Sequence, residues 1–245
     1  MKLGANKPCL RQYPNRYVKT HTTVILAYMS NILTFKQVFD SKVFRIPDYQ
    51  RGYSWGNEQL EQLWSDLKNI HLHLGNFHFT GILTINNFQQ KDYERIQREA
   101  PGYNVENDFV KIGNKYFKPY HLVDGQQRIT TLLILLSELI KKLNENYSND
   151  KLINDIINIF FKVSENSVNK YLFGYDVDVP SHEYLIGVIF EDSQMIVNEP
   201  ETLYTQNLLR AKIYFKDKVE GVSEEECLQL VEKITNKLLF SVLNY

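Results

Sequence analysis

Apolar positions fall into short alternating runs over the first half of the chain and into helical spacing over most of the second. Ile32, Leu33, Phe35, Val38 and Phe39 suggest a short helix. "KVFRI" at 42–46 is β-branched and aromatic, so it predicts a strand, which Pro47 stops. After a polar loop, Asn57 can cap a helix in which Leu60, Leu63, Trp64, Leu67 and Ile70 share one face. "HFTGILTI" at 78–85 reads as a further strand. Residues 86–117 look like an insertion, charged and loop-rich at first. It ends in a hairpin whose alternating runs are separated by Gly113-Asn114. "YHLV" at 120–123 is the next strand. From Gln126 onward Ile129, Leu132, Leu133, Leu136, Leu139, Ile140 and Leu143 keep the spacing of a helix of about five turns.

Later segments read as helices almost to the end: one through Ile153, Ile156, Ile157, Phe160 and Phe161, a short one over 183–191 and another over 201–219. Ser223 and Glu226 have the spacing of a capping box for the helix that carries Cys227, Leu230, Val231, Ile234 and Leu238. "LFSVLNY" then closes the chain as a hydrophobic strand. Such a strand is expected to find its partner elsewhere, which suggests a fragment of a longer protein and an open edge inviting a homo-oligomer. The whole pattern is that of an α+β fold, without repeats or low-complexity tracts.

Composition narrows the class. The 245 residues are 43% hydrophobic and 23% charged, ordinary values for a soluble globular protein of one large domain or two small ones. The net charge of −1 supplies no global field toward nucleic acid or an acidic membrane. Locally the balance differs. No Asp or Glu precedes Asp40, whereas Lys2, Lys7, Arg11, Arg16, Lys19 and Lys36 do, so residues 1–20 read as a basic arm, either solvated or touching phosphate. Cys9 and Cys227 lack metal-ligand spacing and suit a reducing, cytoplasmic setting. The apolar piece "TTVILAYM" is too short for a membrane span or signal peptide, so no membrane partner is expected.

The chemistry concentrates where the strand "YHLV" meets the long helix, in "DGQQRITTL". A helix start leaves backbone N–H groups unpaired and carries partial positive charge. Gly125 would let an anion approach that backbone, Arg128 adds a fork suited to phosphate, and Thr130 and Thr131 supply hydroxyls. Asp124 could hold Mg²⁺ or orient a water, and Gln126 and Gln127 could read a base or fix a water. The plainer alternative is an ordinary turn, with Asp124 capping the helix and Arg128 on the surface; a plain cap needs only one of these groups. A second cluster, "FRIPDYQRGYSW", places Gln50 and Arg51 among Tyr49, Tyr53 and Trp55, a composition for phosphate contact and base stacking. Its plainer alternative is that Tyr53 and Trp55 fill the core.

"IPDYQRGYSW", "FTGIL" and "LVDGQQRITTL", in that order, resemble the signatures of the N-terminal domain of GmrSD-type restriction enzymes, which run approximately IPxYQRxYxW, F-x-G and DGQQRxTTL. The resemblance covers about residues 30–245 and is strongest over 43–136. It implies a small mixed ParB/sulfiredoxin-like sheet with flanking helices over 21–145, followed by a mainly α-helical region over 146–245, in a chain truncated relative to full-length members. It also implies nucleoside triphosphate binding and hydrolysis with Mg²⁺, regulating restriction of phage DNA that carries modified, often glucosylated, cytosines. On this chain Asp124, Gln126, Gln127 and Arg128 would be catalytic. Gly125, Thr130, Thr131, Tyr49, Gln50 and Arg51 would bind nucleotide, and Asp124 would meet the Mg²⁺. A histidine–asparagine–histidine nuclease domain or subunit is the implied partner, since the histidines at 21, 71, 73, 78, 121 and 182 lack its spacing. The alternative from a different class is a non-catalytic switch that binds nucleotide or DNA without turnover.

Overall fold

The computed structural model describes residues 31–99, 103–106, 108–146, 151–176, 180–195, 197 and 202–245; the basic arm over 1–20 lies outside them. Its elements run β1 (Ile32–Thr34), α1 (Phe35–Phe39), β2 (Lys42–Ile46), α2 (Asn57–Asn69), β3 (His78–Asn87), α3 (Gln90–Glu99), β4 (Asn104–Glu106), β5 (Phe109–Ile112), β6 (Lys115–Asp124) and α4 (Gln126–Asn146). Then come α5 (Lys151–Ile156), β7 (Lys162–Glu165), β8 (Val168–Tyr171), β9 (Phe173–Tyr175), α6 (Ser181–Glu183), α7 (Leu203–Glu220), α8 (Glu224–Glu232) and β10 (Leu238–Asn244). Helices α5, α6 and α8 each widen into a π-helical turn, over Ile157–Phe161, Tyr184–Ile189 and Lys233–Lys237. The fold is α+β, as the pattern predicts.

The main sheet has the order β1-β10-β3-β6-β2-β9 and is mixed: β10 runs parallel to β3, and β6 and β9 parallel to β2, while β1–β10 and β3–β6 are antiparallel. One expectation is corrected here. The terminal strand is no open edge, because β10 is paired on both sides within this chain, Phe240 opposite Leu33 on one flank and Gly81 on the other. The region after residue 145 is mainly helical and also supplies β9 and β10 to the main sheet and the separate β7–β8 hairpin. Among the described residues β1 and β9 end this path, and β5 and β4 branch from β6.

Alternation along β2 explains how the sheet serves two layers. Phe44 and Ile46 point into the larger core, which α4 fills, whereas Val43 points into a second cluster with Phe88, Tyr93, Ile96, Val110 and Phe117. Helix α4 is buried almost all round, with Leu132 through Leu136 fully inaccessible, so it is the central helix of the domain. The segment expected to be loop-rich holds α3, a full helix that closes the opposite face. It was hard to see because Asp92 and Glu99 are among its inward residues. Arg45, on the Val43 face of β2, forms a bidentate pair with Glu99 at 2.7–3.0 Å and donates to the carbonyls of Phe44 and Tyr171.

Smaller expectations resolve similarly. Gly113 takes φ +58° in the β5–β6 hairpin, the role its position predicts. Helix α2 begins one residue earlier than expected, with Gly56 rather than Asn57 at its cap and Gln59 Oε1 accepting the Gly56 N–H. Ser223 caps α8, but Glu226 pairs with Lys68 instead of completing a capping box.

The Arg45–Glu99 pair makes a stability prediction. Burial opposes the Glu99 carboxylate, but Arg45 and His182 outweigh it and hold its pKa below the usual carboxylate range. Its stabilising share is therefore complete above about pH 4.3, the unfolded Glu value, and is lost as pH falls through the lower folded value. Glu99→Gln leaves a buried guanidinium without its counter-charge and should cost about 3–5 kcal/mol at neutral pH. Urea unfolding of both proteins from pH 7 to pH 3 should show that gap narrowing in acid.

Candidate functional site

The two polar sequence clusters meet in space. The segment between Pro47 and α2 has no regular structure, so its backbone groups need partners from elsewhere. The start of α4 provides them. Gln126 Nε2 donates to the carbonyl of Arg51 at 3.2 Å and lies 3.4 Å from Gln50 Oε1. Gln127 clamps the next residues, Nε2 donating to Gly52 O at 3.2 Å and Oε1 accepting from Ser54 N at 2.8 Å. Tyr53, fully buried, shares a 2.7 Å hydrogen bond with the Thr131 hydroxyl, which also donates to Gln127 O. Burial pushes the Tyr53 phenol far above its ordinary pKa, so it stays a neutral hydrogen-bonding group. Asn207, on α7, completes the clamp by donating to Tyr53 O at 3.1 Å.

Several site residues thus bind the chain itself. The amides of Gln126 and Gln127, read as possible base or water readers, fix the 50–54 backbone. Thr131 is in the core with Tyr53, and Thr130 is buried with its hydroxyl unpartnered, so neither hydroxyl faces solvent at the helix start. Gly125 takes φ +88°, and a Cβ there would stand 2.3 Å from Leu83 Cδ2. The glycine makes room for a core leucine, and that side of it is closed to a ligand. Gly81 plays the matching part for Arg128. Its φ is +132°, and the Arg128 guanidinium lies where its Cβ would be, with Nη1 donating to Thr80 O at 2.8 Å.

What the side chains leave unpaired is the helix start. Asp124 is exposed and does not cap α4; its Oδ1 accepts from Gly125 N at 2.8 Å. Among the described residues no side chain bonds the N–H groups of Gln126, Gln127 or Arg128, which a first helical turn leaves unpaired. Arg128 is half-buried and Arg51 exposed, and among the described residues no carboxylate pairs with either. Tyr49 is 66% exposed and stands apart from the helix start, on the rim of a separate polar cavity that the sequence did not reveal. That cavity includes His121, Asp92, Asp176 and Arg95, and only His121, three residues before Asp124, carried a positional hint. No group of three or more His, Cys, Asp or Glu among the described residues could hold a metal ion.

The chain is thus a mixed α+β domain built around one long central helix, α4. The family model for the GmrSD restriction endonuclease N-terminal domain matches residues 33–244, and the chain belongs to that family. Membership makes it a component of a restriction system. No curated protein matches the chain. No helix among the described residues is long and apolar enough to cross a membrane.

The clamp predicts a specific sensitivity. Gln127→Leu preserves volume but leaves Gly52 O and Ser54 N without partners, which should cost about 2–4 kcal/mol. Exposed Asp124→Asn should change the urea midpoint little by comparison.

Proposed function

We propose that this chain is the nucleoside-triphosphate-binding and hydrolysing regulatory module of a modification-dependent DNA restriction system. The observation that carries the reading is the first turn of α4, whose N–H groups no side chain bonds among the described residues, with Arg128 in that turn and Arg51 on the clamped loop, neither paired with a carboxylate among them. Backbone N–H groups at the positive end of a helix and planar guanidinium forks are suited to phosphate oxygens. The clamp through Gln126 and Gln127 would hold the Arg51 backbone beside that turn, so the binding geometry would be set before the ligand arrives.

Mg²⁺ would come with the nucleotide, where it would polarise the terminal phosphoryl group. Among the described residues Asp124 is the carboxylate of the turn; its Oδ1 serves Gly125 N, and its second oxygen could orient water or meet the ion. The nuclease partner would act on DNA after nucleotide turnover. A second reading, a switch that binds without hydrolysis, is favoured by that same scarcity of carboxylates.

Phosphate release and thermal shift, measured with each of the four triphosphates and Mg²⁺, separate the two readings. Hydrolysis is expected in the parent chain. It should fall by about 10²- to 10³-fold in Arg128→Ala and Arg51→Ala, since each variant removes charge from the phosphate site. Arg51 is exposed, so its loss should leave the fold intact. A thermal shift without phosphate release would support the switch, and undiminished hydrolysis in both variants would overturn the phosphate site.

A further inference from the structure

A polar cavity of about 420 Å³ opens beside the site, between the α3 face of the sheet and the loop that follows β2. Pro47, Asp48 and Tyr49 form one wall, Asn86 and Asn87 come from the end of β3, and Asp92 and Arg95 from α3. His121 on β6 and Asp176 just beyond β9 close the floor. Four buried polar atoms among these residues lack a close hydrogen bond: Asn86 Oδ1, Asn87 Oδ1, Asp92 Oδ1 and His121 Nε2, the last facing Asp176 Oδ1 at 3.5 Å and Asp92 Oδ1 at 3.9 Å. Asp92 is only 2% exposed and His121 8%. Native proteins rarely leave one such atom unpaired, and here four border a single cavity.

Their chemistry restricts the occupant. Three of the four atoms are acceptors, so the ligand must bring N–H or O–H donors. A phosphate is disfavoured, because Asp48, Asp92 and Asp176 outnumber Lys91 and Arg95, and Arg95 is itself engaged with Asp176 at 2.9 Å and with Asp48 at 3.6 Å. Burial opposes the Asp176 carboxylate, yet His121 and Arg95 outweigh it and keep its pKa below the ordinary range, so it is charged at neutral pH. Asp92 Oδ2 is committed to Gln89 N and Asp176 Oδ2 to Arg95 Nη1, while Asp176 Oδ1 faces His121 Nε2 at 3.5 Å. The acceptors still open are single and spread over separate side chains. That arrangement fits donors dispersed over a ligand, such as a base amino group and ribose hydroxyls, better than a metal ion or a paired N–H edge. Tyr49 and Tyr245, 66% and 77% exposed, stand at the rim as aromatic surfaces for stacking.

Position links the cavity to the helix start. Tyr49 on its wall is two residues before Arg51, no more than about 7 Å of chain, and the Arg51 carbonyl is bonded to Gln126. We propose that this cavity binds the nucleoside half of the nucleotide, with Asn86, Asn87 and Asp92 accepting from its base amino group and ribose hydroxyls. The assignment rests on the nucleotide-binding reading above and adds base selection to it.

Calorimetric titration of the full chain tests the assignment. The probes are adenosine, cytidine, guanosine, uridine, ribose, inorganic tripolyphosphate and the four triphosphates. The variants are Asp92→Asn, which keeps a helix-capping oxygen, and exposed Tyr49→Ala, with urea midpoints as the check on folding. Amino-bearing nucleosides should bind more tightly than uridine or ribose. Both variants should weaken those nucleosides and their triphosphates at least tenfold while leaving tripolyphosphate unchanged. If triphosphates and tripolyphosphate bind equally well and no nucleoside binds, the cavity assignment falls and the phosphate site stands. If nucleosides bind in a variant-sensitive way but tripolyphosphate does not, the cavity assignment stands and the phosphate site falls. Binding of nucleosides unaltered in both folded variants overturns the cavity assignment, and binding of no probe overturns both.

Discussion

The backbone of residues 51–54 is irregular, close to the core and short of partners of its own, and side chains from other elements must satisfy it. Gln126 and Gln127 at the start of α4 do most of this, with Asn207 of α7 taking the carbonyl of Tyr53. A buried amide that bonds both a carbonyl and an N–H of the same loop fixes position and direction together. Through that constraint a loop after β2, a helix after β6 and a helix near the end of the chain become one unit. The arginines at the site depend on the same unit, Arg51 by lying on the clamped loop and Arg128 by crossing β3 at Gly81.

The sheet divides the remaining labour. One face meets α4 and a continuous apolar core, while the other combines an apolar cluster with a polar layer between the strands and α3. In that layer Arg45 and Glu99 satisfy each other, whereas His121, Asp92 and Asn86 keep atoms without a close hydrogen bond around a cavity. Satisfied buried charge contributes to structure, and unsatisfied buried polarity calls for a partner from outside the side chains shown. Both arise from the same alternation of side chains along β2, β3 and β6.

Much of the fold was legible because burial followed the expected periods. "KVFRI" alternates across a sheet, the Gly113 hairpin has its turn chemistry, and α4 repeats its leucines at helical spacing. The position of β10 was not legible, since its pairing joins 238–244 to segments near residues 33 and 80, a long-range choice that no local pattern encodes. Helix α3 was missed because its buried face includes Asp92 and Glu99, which read as solvated in a sequence. At the site, the sequence pointed to segments that do come together. It could not assign the partner of each amide, because a glutamine that holds a backbone carbonyl and one that holds a ligand have the same composition and spacing. Thr130 and Thr131 follow the same rule: they fall on the inward side of a helix buried nearly all round.

The central claim is that Gln127 holds the signature loop as part of the folded unit. Native-state hydrogen exchange of the Ser54 amide, which bonds Gln127 Oε1 at 2.8 Å, measures this directly. The account predicts exchange only through large-scale unfolding, with protection comparable to that of amides within α4. Exchange at the rate of a freely solvated loop would contradict it.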